Sequence, residues 1–249
     1  MYKTHDLARL AKVHPNTVRL YEASGFLSPA PRASNGYRVY SELHLLQLLV
    51  ARAALRCEIV QGHLRVKARA ILEASGREDF KLALVRARLY LNHLERDYAR
   101  ALEAVDIAEK GLSSAAPLSG ETYSLKEVSR LLGVSSEIAR NWERNGLLTV
   151  PRRPNGHRVY AEKEIDRMKI IRTLRAAHYS MNAVLRLLNE ADRAREVNVL
   201  KTLNTPDADE DIVSVTDRLV HSLEEAIRNT REAIRLLESA KRRSPRGLA

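Results

Sequence analysis

The chain has 249 residues, 45% of them hydrophobic and 29% charged, so it holds enough apolar side chains to bury a core, and general disorder is excluded. Its 42 Lys and Arg outnumber 31 Asp and Glu, and the net charge of +11 predicts an acidic partner such as a nucleic acid. Only 5% aromatic residues, 10 Gly and 8 Pro, together with many Ala, Leu, Arg and Glu, predict a mainly α fold rather than a β-sandwich or barrel.

The N-terminal segment predicts a helix-turn-helix followed by a small hairpin. Helices are predicted over roughly Thr4–Lys12 and Pro15–Ser24, and Gly25 ends the second. The Asn35-Gly36 dipeptide is flanked by strand-type residues, which predicts a hairpin that forms a wing beside the second helix. Two further helices are predicted at about 41–55 and 59–74.

A long helix with a narrow apolar stripe follows. Its apolar positions alternate spacings of four and three over more than four heptads, which is typical of a coiled-coil seam. At roughly 1.5 Å per residue, this helix is about 50 Å long. The seam consists of Phe80, Leu84, Ala87, Leu91, Leu94, Tyr98, Ala101, Val105, Ala108 and Leu112.

Small residues from Ser113 to Gly120 predict a linker, and the sequence before it is then repeated after it. Eight residues recur 121 positions later. The wing segment NGYRVY recurs as NGHRVY at an offset of 120, so one residue was lost in a Pro-rich loop, where deletions are tolerated. The chain is therefore interpreted as a fused duplication. Recurring pairs include Tyr2 and Tyr123, Arg19 and Arg140, Glu22 and Glu143, and Leu27 and Leu148.

The second copy predicts the same elements as the first. Its helix-turn-helix spans about 124–145, with a turn at Gly133 and Ser135 as the cap of the second helix, and helices follow at about 161–176 and 181–188. Its long helix carries a stripe widened by Ile227 and Ile234. The stripe consists of Ile212, Val215, Leu219, Leu223, Ala226, Thr230, Ala233, Leu237 and Ala240. The predicted domains are 1–78 (first winged helix-turn-helix), 79–112 (first coiled-coil helix), 113–122 (linker), 123–205 (second winged helix-turn-helix) and 206–249 (second coiled-coil helix and basic tail).

The order of these parts resembles the MerR family of bacterial transcription regulators. The segments VHPNTVRLYEASGFLSP and NGYRVYSE are similar to the family's recognition helix and wing, and VSSEIARNWERNGLL and NGHRVYAE are similar to them more loosely. The two copies cover nearly the whole chain. Because family members are ordinarily homodimers with one such unit per chain, this chain resembles both protomers joined head to tail.

A helix-turn-helix places its second helix in the major groove, where polar side chains near its start face base edges. Asn16 and Thr17 are expected there, while Arg19 and Tyr21 are candidates to hold phosphates. For Tyr21 and Trp142, packing beneath the wing is the alternative. The resemblance implies that Arg38 and Arg158 contact DNA from the wing, and a solvated hairpin charge is the alternative for these two arginines. The predicted DNA-binding residues are His14, Asn16, Thr17, Arg19, Tyr21, Arg32, Tyr37, Arg38, Tyr40, Ser135, Ser136, Arg140, Trp142, Arg152, Arg153, His157, Arg158 and Tyr160.

The two copies differ where bases would be read. Asn16-Thr17 of the first copy is replaced by Glu137-Ile138 in the second. A carboxylate near the groove repels phosphate but can accept a hydrogen bond from cytosine N4. One hypothesis is that the two heads recognise unlike half-sites; the alternative is a second head that has drifted and holds DNA without specificity.

The resemblance also implies a role for the long helices, which pair antiparallel in family members and fix the separation of the two heads. Such coupling favours bent or untwisted DNA. The resemblance implies that the protein compresses an overlong promoter spacer, so that RNA polymerase can engage both promoter elements. Activation and repression both remain open. Pairing within one chain predicts a monomeric pseudo-dimer, and association of two chains through their coils is the alternative. The rival functions are an architectural DNA-bending protein of low specificity and a coiled-coil scaffold that binds proteins.

Catalysis, cofactors and metal sites have no support in the sequence. Cys57 has no partner for an internal disulfide, which indicates a reducing, cytoplasmic and nucleoid-associated protein, and a buried structural thiol is expected. The eight His are scattered, and neither a phosphate-binding loop nor a nucleophile elbow is present. Without a long apolar run or a signal peptide, neither export nor membrane insertion is expected. Basic residues at 241–246 are expected to form a tail that touches phosphate.

Overall fold

The computed structural model describes residues 1–55, 62–113, 120–194, 196–206 and 218–243. Over these residues the chain is mainly helical and has no sheet, in agreement with the predicted mainly α class. None of the described helices is long and apolar enough to cross a membrane. Several predicted features lie outside the described residues, namely Cys57, residues 114–119 of the linker, Ile212 and Val215 of the second stripe, and the tail beyond 243.

The helices follow the predicted order, with a short pair of helices at the start of each copy. The described helices are α1 (Thr4–Leu10), α2 (Pro15–Ala23), α3 (Glu42–Leu55), α4 (Gly62–Gly76), α5 (Phe80–Ser113), α6 (Leu125–Leu132), α7 (Ser136–Arg144), α8 (Glu162–Ala176), α9 (Met181–Arg193), α10 (Val199–Asn204) and α11 (Leu219–Arg243).

The chain divides into two compact units. The first unit comprises residues 1–96 together with the chain from 222 onward, and the second comprises residues 97–221. The long helix α5 therefore contributes its first part to one unit and its remainder to the other. Each unit contains one helix-turn-helix pair, α1–α2 or α6–α7. Residues 1–55 are called the first head and residues 120–188 the second head.

The first head is organised around α1, α2 and the start of α3. Its core consists of Leu7, Ala8, Ala11, Val18, Leu27, Tyr40 and Leu48. Pro15 occupies the first turn of α2, where its missing N–H costs no hydrogen bond, and the His14 ring accepts a bond from the Asn16 N–H at 3.2 Å. After α2 the chain reverses at Gly25, whose φ of 71° lies in the left-handed region that glycine adopts without strain.

In the first unit, two ion pairs connect α5 with α11. Arg88 lies 3.1 Å from Glu238, and Arg231 lies 2.8 Å from Glu95. Moving seven residues forward along α5 corresponds to moving seven residues backward along α11, so the two helices run in opposite directions there. Ala233, Leu237 and Ala240 are buried on the inner face of α11. Ile227, which widens the predicted apolar stripe, is also buried.

The second head begins with a complete helix cap. The Ser124 hydroxyl accepts a bond from the Glu127 N–H at 3.4 Å, while the Glu127 carboxylate accepts one from the Ser124 N–H at 2.7 Å. These bonds hold the pKa of Glu127 below its usual value. The buried Tyr179 hydroxyl donates to the Ala101 carbonyl of α5 at 3.2 Å, which anchors this part of α5 in the second unit, and burial raises the Tyr179 pKa.

Each predicted wing is a loop closed by one isolated antiparallel bridge rather than by the strands of a hairpin. The bridges are Arg32–Arg38 in the first head and Arg152–Arg158 in the second. Pro31 and Pro151 lie beside the bridges, and since proline has no N–H, each contributes only its carbonyl, which accepts from Val39 or Val159. A second bridge ties each wing to the start of its head, Tyr2–Tyr40 or Tyr123–Tyr160.

Candidate nucleic-acid interface

The second helix of each pair presents its first turn to solvent. In the first head, His14 and Asn16 are exposed, and the Asn16 side chain accepts a bond from Arg19 at 3.3 Å. In the second head, the Ser135 hydroxyl caps α7 by accepting from the Ile138 N–H at 3.2 Å. The predicted capping role of Ser135 is confirmed. Each helix start is therefore held in place locally.

The predicted DNA-binding residues fall into three groups by exposure. The exposed members are His14, Asn16, Arg19, Arg32, Tyr37, Ser135, Arg140, Arg152, Arg153 and His157. The half-buried members are Thr17, Tyr21, Arg38, Ser136 and Arg158. The buried members are Tyr40, Tyr160 and Trp142, which are exposed by 0%, 1% and 4%. The burial of Trp142 favours packing in the core over contact with DNA, and the two tyrosines are buried in the same way.

An acidic residue near the end of each recognition helix holds the wing. Glu22 of α2 lies 2.7 Å from Arg38, and Glu143 of α7 lies 2.6 Å from Arg158 and 3.1 Å from Arg152. The hydrogen bond that Arg158 donates to Glu143 raises the pKa of Arg158. Arg38, Arg152 and Arg158 are thus held against the recognition helix by ion pairs.

The carboxylate in the first head makes two additional contacts. Glu22 accepts a bond from the buried Tyr40 hydroxyl at 3.1 Å and from the Ala30 N–H at 3.3 Å. Sequence reasoning assigned no function to Glu22 or Glu143, although both were recognised as a recurring pair. One signal could have identified the contact between these glutamates and the wing arginines. A negatively charged residue recurs in a helix that is expected to approach phosphates.

A second repeated contact joins the start of each head to its third helix. Arg52 of α3 donates to the Ala11 carbonyl at 2.9 Å, and Arg172 of α8 donates to the Leu132 carbonyl at 2.7 Å. These carbonyls end α1 and α6, where helices leave acceptors unpaired and where positive charge is favourable. Sequence analysis missed both arginines, which recur at an offset of 120.

In the second head, several predicted residues surround one polar cleft of about 580 Å³. Arg140 comes from the recognition helix, while Arg153, His157 and Arg158 come from the wing loop. The floor is formed by the segment 122–127 at the start of α6, and Arg153 donates to the Thr122 hydroxyl at 3.3 Å. Three arginines and Lys126 outnumber Glu127, the one carboxylate in the lining, so the cleft is positively charged and suited to a phosphate.

The start of each recognition helix also differs in charge. Glu137 is exposed, and its carboxylate forms a 2.7 Å ion pair with Arg144 two turns further along α7. Asn16, the corresponding residue of α2, is neutral and contacts Arg19. Within the described part of the chain, no group of three or more His, Cys, Asp or Glu is positioned to hold a metal ion.

Two segments of the chain match models of one protein family. Residues 3–40 match "MerR family regulatory protein", and residues 123–191 match "MerR HTH family regulatory protein". These segments contain the two helix-turn-helix pairs and both wing loops.

Individual relatives are similar over shorter stretches. The mercuric resistance operon regulatory protein of Bacillus cereus is 31% identical over 72 residues, which cover 28% of this chain and 54% of that protein. The HTH-type transcriptional regulator CueR of Escherichia coli O157:H7 is 37% identical over 49 residues, or 20% of this chain and 36% of CueR. ZntR of Escherichia coli K12 is 37% identical over 54 residues, or 22% of this chain and 38% of ZntR. The chain thus spans about half or less of these relatives, and no solved structure gives a significant match.

Proposed function

Because this chain belongs to the MerR family and carries two MerR units, we propose that it is a transcription regulator that binds double-stranded promoter DNA through two non-identical heads. The observation that carries the proposal is the repeated ion pair that fixes a wing arginine on each recognition helix. A wing and a recognition helix held together form a preorganised surface for the DNA backbone, with the helix start left free for bases.

Each head has its own set of proposed contacts. In the first head, Asn16 and Thr17 face the major groove, and Arg19 and Arg32 hold phosphates on either side. Tyr37, which is 73% exposed, extends the wing toward the sugar–phosphate backbone. The exposed His14 completes this set.

In the second head, Ser135 and Ser136 lie at the start of the recognition helix, and Arg140, Arg153 and His157 surround the polar cleft. We place a phosphate in that cleft. Tyr40, Tyr160 and Trp142 support these surfaces from the core, since their side chains are buried.

The wing arginines are proposed to serve two functions at once. Arg38 faces Glu22 through its Nε, and Arg158 donates to Glu143 through its Nε. A guanidinium has five N–H donors, so its terminal nitrogens are available for a phosphate while Nε holds the helix. Both side chains are partly exposed, by 33% for Arg38 and 26% for Arg158.

The long helices are proposed to join the two heads as an intramolecular coiled coil. The antiparallel pairing of α5 with α11 in the first unit supports pairing within one chain. Two heads coupled in this way favour a duplex whose half-sites they can contact together, and bending or untwisting of promoter DNA follows from that preference. RNA polymerase at the same promoter is the proposed partner.

Fluorescence anisotropy with a labelled promoter duplex, at a series of salt concentrations, tests the DNA surface. Arg38→Gln and Arg158→Gln are each expected to weaken binding and to reduce the slope of log K against log salt by about one, the value of one lost phosphate contact. Arg228→Gln, an exposed position on α11, is the matched control and should leave both quantities unchanged. Wild-type affinity and slope in both wing variants would contradict the proposed surface.

A further inference from the structure

A second cavity of about 600 Å³ lies in the second unit, beside the start of the recognition helix and apart from the polar cleft. Its volume is within the range of pockets that hold small organic ligands. Val134, Ile138, Trp142 and Met181 supply large apolar side chains to its wall. Ile138 is 47% exposed and so offers apolar surface to a ligand, whereas Trp142 is almost fully buried.

Two arginines give this apolar pocket a positive charge. The Arg172 guanidinium donates to the Leu132 carbonyl, and that of Arg175 donates to the Tyr179 carbonyl. Neither forms an ion pair with a carboxylate among the residues that the structure describes. Both arginine residues are exposed, so a ligand can reach them from solvent, while partial burial of the Arg175 guanidinium lowers its pKa.

One carboxylate also lines the pocket, but it already forms an ion pair with another residue. Glu137 forms its ion pair with Arg144, which is not part of the pocket wall. The two arginine charges are therefore left without a matching anion inside the pocket. An apolar wall beside uncompensated positive charge suits a ligand that has both an apolar body and a negative group.

The first head does not reproduce this combination. Arg172 has a counterpart that caps α1 in the same way, so its contact belongs to the shared fold. Arg175 and Ile138 have counterparts of different chemistry, which makes the extra cation and the aliphatic wall particular to the second head. The corresponding pairs, second head first, are Arg172 and Arg52, Arg175 and Leu55, Ile138 and Thr17, and Trp142 and Tyr21.

We propose that this pocket binds a small amphipathic organic anion. Its aromatic or aliphatic body lies against Trp142 and Ile138, and its carboxylate or sulfonate lies beside Arg175. A bare phosphodiester matches the arginines but leaves the apolar wall in contact with water, so the DNA backbone is a poorer occupant than an amphipathic molecule.

The position of the pocket links it to DNA binding, a consequence that rests on the proposed function. Glu137, Ile138 and Asn141 of the pocket wall all belong to the recognition helix. A bound molecule covers that side of the helix, so occupancy is expected to weaken the second head on its half-site and to leave the first head unaffected.

Binding can be measured without DNA, because Trp142 is the only tryptophan of the chain and lies in the pocket wall. Titration with 8-anilinonaphthalene-1-sulfonate, an aromatic sulfonate, is expected to quench Trp142 fluorescence saturably with one molecule per chain. The uncharged N-phenyl-1-naphthylamine is expected to bind more weakly. Absence of Trp142 quenching would overturn the proposal.

Variants separate the charged contact from the apolar one. Arg175→Met should lower the affinity for the sulfonate about tenfold, the value of a lost charge-assisted hydrogen bond, and leave the uncharged probe unaffected. Ile138→Thr, which introduces the first head's residue, should weaken both probes. Arg193→Met, an exposed arginine outside the pocket, is the matched control. Equal loss of sulfonate binding in Arg193→Met and Arg175→Met would overturn the site while leaving the proposed DNA function standing.

A final measurement tests the link to DNA. In a footprint of the wild-type chain, a saturating concentration of the sulfonate should remove protection of one half-site only. Sulfonate binding to Trp142 with both half-sites still protected would contradict the link while leaving the pocket in place. Absence of any footprint without the sulfonate would instead contradict the proposed function.

Discussion

The two heads of this chain share their supporting contacts and differ at the surface that those contacts support. Glu22 and Glu143 each form an ion pair with a wing arginine, and Arg52 and Arg172 each donate to a carbonyl at the end of the first helix. The start of the recognition helix is neutral in the first head, whereas the second carries a carboxylate that forms an ion pair. Duplicated domains retain what keeps the fold together, while residues whose replacement costs little stability are free to diverge.

The buried tyrosines should show the strongest similarity between the heads. Tyr40→Ala and Tyr160→Ala each empty a fully buried aromatic site, so each is expected to cost about 3–5 kcal/mol of unfolding free energy. Urea unfolding followed by circular dichroism measures the loss. A cost below about 1 kcal/mol in one head would show that its core is not packed like that of the other.

The glutamates that hold the wings should have a smaller effect on stability. Glu22→Gln and Glu143→Gln keep the size of the side chain but remove the charge, and loss of a hydrogen-bonded charge is expected to cost about 1–3 kcal/mol. Urea unfolding measures this cost, and binding to a promoter duplex should weaken in both variants because the wing is released. Exposed Glu103→Gln on α5 is the control; if it matches the other two, the wing contact has no special function.

The turn that follows the first helix tests a difference in backbone strain. Lys12 has a φ of 52°, and its counterpart Gly133 has a φ of 60°. Glycine has no Cβ, so Gly133 adopts this backbone conformation without strain, whereas Lys12 does not. Gly133→Ala is expected to destabilise the second head by about 1 kcal/mol, and Lys12→Gly to stabilise the first by at most about 1 kcal/mol. Thermal unfolding of the two variants compares them directly; changes of the same sign would contradict this account.

The smallest predicted difference is a response to acid. The pKa of Glu127 is lowered by its capping bonds to Ser124, so those bonds contribute stability above the carboxyl's ordinary pKa of 4.5 and lose it as pH falls through the lower folded value. Glu127→Gln, which removes the titrating carboxyl, should therefore reduce stability at neutral pH and flatten the stability profile below about pH 4.5. Urea unfolding at pH 3 to 7 measures the profile; an unaltered slope would contradict the capping role.

Local signals in the sequence were sufficient to predict much of the fold. The cap at Ser135 and the turns at Gly25 and Gly133 each depend on a few neighbouring residues, and the structure contains all three. The wing hairpins were predicted from Asn-Gly turns, but the prolines beside them leave only one bridge in each loop.

The contacts that shape the candidate interface were harder to predict. Glu22 meets Arg38 across 16 residues, and Arg52 meets Ala11 across 41, so both contacts depend on packing that a local pattern does not contain. The aromatic residues posed a different problem. Tyrosine and tryptophan combine an apolar ring with a polar group, so they suit either a core or a nucleic-acid surface. The structure shows that Tyr40 and Trp142 are buried in the core, which the sequence alone could not show.

The central claim is that one chain carries two reading heads of different specificity. The most direct test selects DNA sites with the wild-type chain and with a variant. In that variant the recognition-helix segments 15–23 and 136–144 are exchanged. Footprinting and sequencing of the selected sites then show which bases each head prefers. We predict that one chain protects two unlike half-sites and that the exchange reverses their order. A site with identical halves, or one unchanged by the exchange, would contradict the claim.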